Sequence, residues 1–441
     1  MSREMKDSGI AWIGKIPANW NLRRLQFILT ERNEKNNDLQ TKNILSLTAD
    51  KGVIPYAERS SGGNKHKDDL TAYKIIKPND IVVNSMNILA GSVGLSKYYG
   101  CSSPVYYMLY SEKEDIDIRY YSYIFQSNAF QRSLRGLGNG IMIHESENGK
   151  LNTIRMRIPM EKLNKLYLPY IPLSEQQKIA SFLDEKTKEI DNTIEKTKET
   201  IELYKKYKQA IITEAVTKGL DPNAEMKDSG VEWIGKTPIN WQVKRAKNIV
   251  TEFTKGSGIT KEDIDNNGDI SCVRYGEIYT KYDISFTQAF SRTNLSKISS
   301  PRYIKKGDII FSGTGELVEE IGKNVVYEGN EPCLAGGDII IAKHKCDATF
   351  LNYAFNSSYS QMQKSFGKSK LKVVHISASD IGNIILTIPP ICEQRAIAKF
   401  LDEKIALINY ITKSMNDLIP VYENYKKSLI YEYVTGKKEV K

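Results

Sequence analysis

The chain is built from one sequence unit written twice in tandem. Residues 5–20 read MKDSGIAWIGKIPANW and residues 226–241 read MKDSGVEWIGKTPINW, with twelve of the sixteen letters identical. A second string, EQQKIASFLDEK from Glu175, returns as EQRAIAKFLDEK from Glu393. The regions between these strings differ far more than the strings do. A repeat of this length predicts two copies of one domain in a pseudo-two-fold internal repeat, with similar borders and different contents.

Composition limits the partners that such a chain can bind. Its 441 residues include 63 Lys and Arg against 53 Asp and Glu, which gives a formal charge of +10. This excess favours a polyanionic partner, and nucleic acid is the first candidate. A membrane surface would attract the same charge, but a span needs about 18 consecutive apolar residues and the sequence has no such run. Because residues 1–9 are polar, we expect a soluble, unexported, cytoplasmic protein.

Cysteine and histidine spacing argues against a metal centre. The five cysteines contain no CxxC pair, and the four histidines contain no HExxH pattern. Neither a disulfide framework nor a zinc site is indicated. We therefore expect no metal site.

A heptad pattern follows each copy of the EQxxIAxFLDEK string. Positions 183, 190, 194, 197, 201, 204, 208, 211 and 215 follow alternating steps of four and three after the first heptad, and the second series repeats them with a displacement of 218 residues. This spacing is typical of a coiled-coil seam. Pro420 lies inside the second series and predicts a bend or interruption near Ile419. The predicted seam residues are Leu183, Ile190, Ile194, Ile201, Tyr204, Ile211, Leu401, Ile408, Met415, Ile419, Tyr422 and Leu429.

Chain connectivity predicts how these two helices run. The first helix carries the chain from the first domain toward the second, and the second helix must carry it back if the repeat is symmetric. We therefore expect an antiparallel coiled coil. The heptads alone leave an ordinary helical hairpin or a dimerisation zipper open.

The regions between the shared strings predict mixed α and β structure. Residues 73–83 and 303–311 each read as a strand, a tight turn and a second strand. Residues 118–134 and 350–366 have helical spacing at corresponding places. The predicted fold class is α+β, with two globular α/β domains joined by two long helices. The predicted globular domains are residues 1–170 and, after a linker, 221–388, and the predicted helices are residues 171–220 and 389–441.

Positive charge is concentrated outside the predicted helices. Residues 174–218 carry nine basic and nine acidic residues, and residues 393–441 carry nine basic and seven acidic residues. The remaining chain thus holds a net charge of +8. This distribution is expected if the globular domains contact phosphates and the helices contact protein.

Two short motifs would indicate catalysis, but both are incomplete. Residues 308–315, DIIFSGTG, resemble the glycine turn near S-adenosylmethionine in methyltransferases, yet no N/D-P-P-Y/F loop accompanies them. Residues 367–369, GKS, lack the earlier glycine of a phosphate-binding loop. We favour a structural turn at residues 308–315. An enzyme with a methyl-donor site at that turn is the alternative, and a coiled-coil adaptor that binds only protein is a third hypothesis.

The duplicated lead segment, MKDSGxxWIGxxPxxW, and the duplicated helix start together resemble the specificity subunit of type I restriction-modification enzymes. The resemblance covers essentially the full length, because both strings occur twice at half-length spacing. It implies two target-recognition domains that each read one half of a bipartite, asymmetric DNA sequence, held by an antiparallel coiled coil. The sequence departs from the family pattern at Pro420, Cys392 and Arg395, which leaves the exact helix ends open.

The same resemblance implies a chain without catalytic residues or cofactors of its own. S-adenosylmethionine, Mg and ATP are expected on partner subunits only. The expected partners are double-stranded DNA, two modification (methyltransferase) subunits that dock on the helices, and two restriction (motor and nuclease) subunits.

Candidate DNA contacts are polar residues in loop-like or glycine-rich stretches. A solvated surface charge is at least as good an interpretation of any single lysine among them. The candidates in the first domain are Arg59, Lys65, His66, Lys67, Asn84, Asn87, Lys97, Arg132, Arg135 and Asn139. Those in the second domain are Lys255, Arg274, Tyr275, Lys281, Arg302, Thr314, Lys364, Lys368, Lys370 and His375.

The four tryptophans of the chain recur in register within the two lead segments. A large ring with one polar N–H is suited to anchoring one element on another. We predict that they pin each domain onto a helix end, with a contact to the modification subunit as the alternative. They are Trp12, Trp20, Trp233 and Trp241.

Overall fold

The computed structural model describes residues 3–59, 65–139, 143–145, 151–153, 157–369 and 373–440. Contacts divide the chain into two compact units. Unit 1 comprises Met1–Thr197 and Asp417–Lys441, and unit 2 comprises Lys198–Asn416. Each unit contains a globular domain together with part of each long helix.

The globular part of unit 1 is mixed α and β. Its helices are α1 (Ile118–Gln126), α2 (Asn128–Ser133) and α3 (Met160–Leu163), followed by the long helix α4 (Leu173–Lys218). Its strands are β1 (Met5–Asp7), β2 (Lys15–Pro17), β3 (Asn21–Arg24), β4 (Thr30–Arg32), β5 (Leu45–Thr48), β6 (Gly52–Pro55), β7 (Lys74–Ile76), β8 (Ile81–Asn84), β9 (Val93–Leu95), β10 (Gly100–Ser102), β11 (Tyr106–Tyr110), β12 (Ile143–Glu145), β13 (Leu151–Thr153) and β14 (Tyr167–Tyr170).

The globular part of unit 2 has the same classes of element and more strands in its middle. Its helices are α5 (Tyr275–Thr280), α6 (Ala348–Phe355), α7 (Ser358–Ser365) and α8 (Ala378–Gly382), followed by the long helix α9 (Ile391–Val434). Its strands are β15 (Met226–Asp228), β16 (Lys236–Pro238), β17 (Gln242–Arg245), β18 (Val250–Lys255), β19 (Ile270–Val273), β20 (Ser285–Phe286), β21 (Ser291–Thr293), β22 (Tyr303–Ile304), β23 (Ile309–Ser312), β24 (Thr314–Gly315), β25 (Asn324–Tyr327), β26 (Cys333–Ala335), β27 (Ile339–His344), β28 (Val374–His375) and β29 (Ile385–Ile388).

The shared borders fold in the same way in both units. Each lead segment forms a small antiparallel pair, β1 with β2 and β15 with β16. The strand that follows it pairs with the strand that precedes a long helix, β3 with β14 and β17 with β29. The variable region of each unit is therefore enclosed between two paired strands.

The contents of the two units differ. Unit 1 has a four-stranded antiparallel sheet in the order β4-β11-β8-β9. Unit 2 has a five-stranded sheet, β18-β27-β23-β25-β20, and a second sheet, β21-β19-β26-β22. One apolar cluster joins these two sheets through Val273, Ala335 and Ile341. Unit 2 thus has a sheet layer where unit 1 has the short pairs β5-β6 and β7-β10.

The strand-turn-strand segments predicted at residues 73–83 and 303–311 are present in both units. Each turn has a residue in the left-handed region, Asn79 with φ 67° and Gly307 with φ 89°. The next residue closes the turn, since Asp80 and Asp308 each accept the backbone N–H of the lysine three positions earlier at 2.8 Å. The two flanking strands pair with other strands and not with each other.

The predicted seam residues of the long helices are all buried or half-buried. In unit 1, Leu183, Ile190 and Ile194 of α4 share a core cluster with Leu429 of α9. In unit 2, Ile211 of α4 shares a core cluster with Leu401 and Ile408 of α9. Burial of these apolar side chains stabilises each helix far more than the intrinsic propensity of its residues does.

A polar pair of residues also recurs along the helices with the 218-residue displacement. In unit 1, Lys426 Nζ lies 2.6 Å from Asp191 Oδ2. In unit 2, Lys208 Nζ donates to Asn409 Oδ1 at 3.1 Å, and the carboxylate near this lysine comes from Asp283, 2.7 Å away. Lys426 and Lys208 occupy equivalent helix positions. The carboxylate that pairs with Lys426 belongs to α4, whereas the one that pairs with Lys208 belongs to Asp283 of the globular domain.

The predicted interruption at Pro420 is wrong, because α9 continues through this residue. A proline removes one helical N–H and frees the carbonyl of the residue four positions earlier. Both Pro420 and Asn416, which carries that carbonyl, are exposed, so water can solvate the freed group. Ile419 and Tyr422 pack against the core of unit 1 and hold the helix on either side. A bend at this point stays a prediction.

Two of the four tryptophans pin a domain onto a helix start, as predicted. Trp20 and Trp241 are fully buried, and their indole N–H groups donate to Glu175 at 3.0 Å and to Glu393 at 2.7 Å. These glutamates lie in the first turns of α4 and α9. The glutamates are the first letters of the duplicated helix string, so this repeat encodes a specific contact.

The other two tryptophans have different environments, and a contact of either with a helix end stays a prediction. Trp12 packs edge-on against Phe130 of α2, with ring centroids 5.3 Å apart, and Trp233 is 38% exposed. At the position of Phe130, the second copy has Ser360, which is too small to cover an indole.

None of the helices in the described part of the chain combines the length and apolar character that a membrane crossing requires.

Candidate nucleic-acid interface

Three of the predicted contacts in unit 2 line one cleft of about 760 Å³. Arg274, Tyr275 and Lys281 lie at the start and end of α5, which faces the loop after β18 and the turn between β26 and β27. Glycines form much of the wall, and at Gly258 and Gly276 a Cβ would meet no atom within 4 Å. A bound group can therefore approach the backbone closely.

A buried carboxylate fixes the position of Arg274. Its Nε and Nη2 each donate to Glu277 Oε1 at 3.1 Å, and its backbone N–H donates to Glu277 Oε2 at the same distance. Glu277 is 4% exposed and also accepts the Ser291 hydroxyl at 2.5 Å. The Arg274 side chain remains 31% exposed on the cleft side. Glu277 therefore holds the Arg274 guanidinium along the edge made by Nε and Nη2.

The rim of the cleft combines cations with exposed aromatic rings. Tyr275 is 40% exposed and Phe290 is 62% exposed. Lys281 Nζ lies 4.1 Å from the centre of the Phe290 ring, and Lys261 lies on the opposite loop. Basic and aromatic side chains together are typical of surfaces that bind nucleic acid.

The other predicted contacts of unit 2 are dispersed. Lys255 ends β18 and is exposed, and Arg302 lies beside the loop before the cleft, because its backbone N–H donates to Ser257 Oγ at 2.6 Å. Lys368 forms an ion pair with Asp380 at 2.9 Å. The exposed His375 hydrogen-bonds through Nδ1 to Thr314 Oγ1 at 3.1 Å. Lys370 lies outside the described residues.

In unit 1, one group of predicted contacts is clustered around Tyr56. Arg59 Cζ lies 5.6 Å from the centre of the Tyr56 ring, and the His66 ring packs edge-on against it at 5.0 Å. Lys65 and Lys67 are exposed on either side of His66. Arg132 and Arg135 are exposed near the end of α2, and Asn139 accepts the Lys162 ammonium at 3.2 Å. Asn87 and Lys97 are exposed in separate loops.

Three predicted contacts are buried, with at most 9% of each residue exposed. Asn84 uses Oδ1 to accept the Met86 N–H, and Thr314 is only 7% exposed. Lys364 is 1% exposed and donates to Gly322 O and Asn324 Oδ1, both at 2.8 Å. Burial lowers the pKa of Lys364 to about 7. We therefore remove these residues from the candidate DNA surface.

The DIIFSGTG segment follows a tight turn and is closely packed by other protein atoms. Asp308 is buried and closes the turn before β23. A Cβ at Gly313 would lie 2.9 Å from Asp338 O, and one at Gly315 would lie 2.8 Å from the Tyr279 hydroxyl. Both glycines are required by close approach of other protein atoms, so the segment leaves little room for a cofactor.

Sequence reasoning missed Lys261, Glu277 and Phe290. The loop GSGITK would have drawn attention to Lys261, since small residues before a lysine are typical of a phosphate contact. Glu277 and Phe290 give no local signal, because their roles depend on a side-chain bond and on exposure.

Among the described residues, no group of three His, Cys, Asp or Glu side chains could hold a metal ion.

Comparison with known proteins assigns the family. The family model described as "Type I restriction modification DNA specificity domain" matches residues 17–203 and 238–420. The chain belongs to this family. The two matches start within the lead segments and end within the long helices, so each includes one variable region with its borders.

Curated members of this type I restriction-modification family match over most of the chain. The MjaVIII specificity subunit of Methanocaldococcus jannaschii is 24% identical over 97% of this chain and 95% of its own length. The EcoKI specificity subunit of Escherichia coli K12 is 22% identical over 82% of this chain and 75% of its own length.

Two solved structures share the fold. A chain from the structure described as the basis of complex assembly and conformational transition of the type I R-M system has a TM-score of 0.68 at 14% identity, over 96% of this chain and 99% of that one. The HsdS subunit from Thermoanaerobacter tengcongensis has a TM-score of 0.53 at 13% identity, over 96% of this chain and 98% of that one.

Proposed function

We propose that this chain directs a type I restriction-modification complex to a bipartite, asymmetric DNA sequence, with each globular domain reading one half. The single observation that carries this proposal is the contrast between shared borders and unlike contents. The borders pair identically in both units, whereas among the described residues unit 2 has the four-stranded β21-β19-β26-β22 sheet and unit 1 has the short pairs β5-β6 and β7-β10. Two unlike surfaces would read unlike base sequences.

The charge distribution supports DNA as the ligand of the globular domains. The net charge of +8 lies outside the two long helical segments. Lysine and arginine contacts to phosphate supply most of the affinity of such proteins, and base contacts then supply sequence specificity. The cleft around Arg274 in unit 2 and the cluster around Tyr56 in unit 1 are the proposed reading surfaces.

The helices carry two equivalent exposed apolar pairs that suit protein partners. Leu203 and Tyr207 of α4 are 63% and 54% exposed, and the equivalent Val421 and Tyr425 of α9 are 58% and 55% exposed. Exposed apolar pairs one helical turn apart are typical docking points. One pair per unit suits two copies of one partner, which we propose are the two modification subunits.

We further propose that the helices form one antiparallel coiled coil that sets the distance between the half-sites. The equivalent pairs Lys426–Asp191 and Lys208–Asn409 support a common register along it. In this proposal the chain is a non-catalytic scaffold in the cytoplasm. S-adenosylmethionine, Mg and ATP would bind to the modification subunits and to two restriction subunits.

Exchange of one globular domain tests the proposal. Residues 21–170 are replaced by the matching domain of another specificity subunit, and both junctions fall at the directly paired residues Asn21 and Tyr170. Methylated sites are then mapped in cells that express the chain with its modification subunit. We expect a two-part adenine methylation motif in which one half changes while the other half and the spacer are retained.

The matched control replaces residues 242–388, whose ends pair in the same way. This exchange is expected to change the other half of the motif. A motif that stays the same in both exchanges would contradict the proposed function.

A further inference from the structure

The Arg274 guanidinium is held in a way that leaves one defined edge for a ligand. Glu277 occupies its Nε side and one hydrogen of Nη2. The opposite edge, made by Nη1 and the second hydrogen of Nη2, has no partner at Nη1 within the part of the chain that the structure describes. Two parallel N–H donors on one planar edge match two acceptors in one plane.

Guanine presents such a pair of acceptors. In the major groove its O6 and N7 accept both donors of an arginine fork, and no other base offers two acceptors there. Arginine loses less rotamer freedom on binding when its side chain is already fixed. Glu277, buried and bound by four donors, provides this fixation for Arg274.

The surroundings of this edge suit a DNA duplex. Lys261 and Lys281 lie on the cleft rim, where they can contact phosphates on either side of a base edge. The Glu277 carboxylate is compensated by Arg274, and the exposed Lys261 and Lys281 outnumber the one exposed acid of the lining, Asp338. The absence of side chains at Gly258 and Gly276 leaves space for a groove edge to approach Arg274.

We propose that Arg274 reads a guanine in the half-site bound by unit 2, with Glu277 as the residue that positions it. The proposal rests on the proposed function and adds to it a base and a specificity-determining side chain. Arg274 contacts the base, and Glu277 acts only through Arg274.

The first test maps adenine methylation in cells that express the modification subunit with variants of this chain. Arg274→Ala is expected to make one guanine position of the unit 2 half-site degenerate, while the unit 1 half-site and spacer stay unchanged. Arg274→Met keeps an unbranched side chain but removes the charge and every donor, so the same position is expected to relax. Glu277→Gln is expected to relax it less. Arg245→Ala, an exposed arginine of β17, is the matched control and should leave the motif unchanged.

The second test measures binding of the assembled complex to a duplex that contains the mapped motif. Replacing the implicated guanine by 7-deazaguanine removes the N7 acceptor and keeps O6. This change is expected to weaken binding by the wild-type complex about tenfold, and to have no effect on the complex with Arg274→Met. The Met variant keeps most of the side-chain volume and carries the test if the Ala variant does not fold.

The outcomes separate this inference from the proposed function. A two-part motif whose unit 2 half contains no guanine, or retains every guanine in the Arg274→Met variant, overturns the inference and leaves the proposed function standing. Equal sensitivity of wild type and Arg274→Met to 7-deazaguanine also overturns it. A wild-type motif with a single part contradicts the proposed function itself.

Discussion

The Lys364 side chain lies in the interior of unit 2, where it is 1% exposed. It belongs to the polar stretch QKSFGKSK, whose composition favours an exposed DNA contact. The structure instead places it at the end of α7, where its ammonium reaches inward to Gly322 O and Asn324 Oδ1 and lies 5.6 Å from the Phe311 ring centre. Composition cannot distinguish these cases, because burial depends on which strands surround the helix.

Lys364 makes the stability of the protein depend on pH. Burial lowers its pKa from 10.5 to about 7 in the folded protein. Between these values the unfolded chain binds one proton more than the folded chain, so stability rises with pH, by up to about 1.4 kcal/mol per pH unit. We expect Lys364→Met to remove this slope. In urea titrations, the free energy of unfolding of the wild type should therefore increase relative to that of the variant between pH 7.5 and 9.5.

The control for this prediction is Lys345→Met, at an exposed lysine of the same unit. Its free energy of unfolding should follow the wild-type pH dependence. Parallel curves for wild type and Lys364→Met would show that the Lys364 pKa is not lowered.

At the scale of elements, shared residues of the duplicated helix string make the same contacts in both units. Gln176 and Gln394 accept the backbone N–H of Asp117 and of Asp347, the residues that cap α1 and α6. The aspartate of each FLDEK string accepts a tyrosine hydroxyl at 2.7 Å, Tyr123 in unit 1 and Tyr353 in unit 2. The repeated letters therefore fix how a helix start holds its domain.

The sequence predicted the long helices and their seams because these depend on local periodicity. It could not predict which tryptophans anchor a helix start. Trp12 and Trp233 occupy equivalent letters, but their surroundings depend on a residue 118–127 positions away, Phe130 in one copy and Ser360 in the other. Lead-segment position alone does not contain that information.

The anchoring tryptophans can be tested by one substitution made at two places. Trp241→Phe removes an indole N–H from Glu393 and leaves a gap in a fully buried site, so we expect it to lower the free energy of unfolding by about 2–4 kcal/mol. Trp233→Phe at the exposed position should change it by less than about 0.5 kcal/mol. Urea unfolding followed by circular dichroism measures both, and equal losses would refute the assigned roles.

At the scale of the whole molecule, the duplication predicts two units with different variable regions, but not which strands make the difference. The second sheet of unit 2 is built from strands of two to four residues, and β19 pairs in parallel with β26 more than sixty residues later. Such short strands carry little periodic signal, and their pairing is set by packing against the five-stranded sheet. The cleft depends on this sheet and was therefore recognised only as separate candidate residues.

The proposed spacer function of the helices leads to a prediction about DNA geometry. Since Lys208 pairs with Asn409 and Lys426 with Asp191, residues 196–202 face residues 415–421 in the proposed coiled coil. Residues 196–202 and 415–421 are deleted together, and Ser414→Val restores the apolar side chain that Val421 supplies before Tyr422. The double deletion keeps the seam in register and shortens each helix by about 10 Å at 1.5 Å per residue. That length corresponds to about three base pairs of duplex at 3.4 Å each.

We therefore expect the double deletion to shorten the unread spacer of the methylation motif by about three base pairs and to retain both half-sites. Deleting only residues 196–202 misaligns every later seam contact, so this control should abolish site-specific methylation. Methylation mapping distinguishes the two results in one experiment. A spacer of constant length in an active double deletion would mean that the globular domains, and not the helices, set the distance between the half-sites.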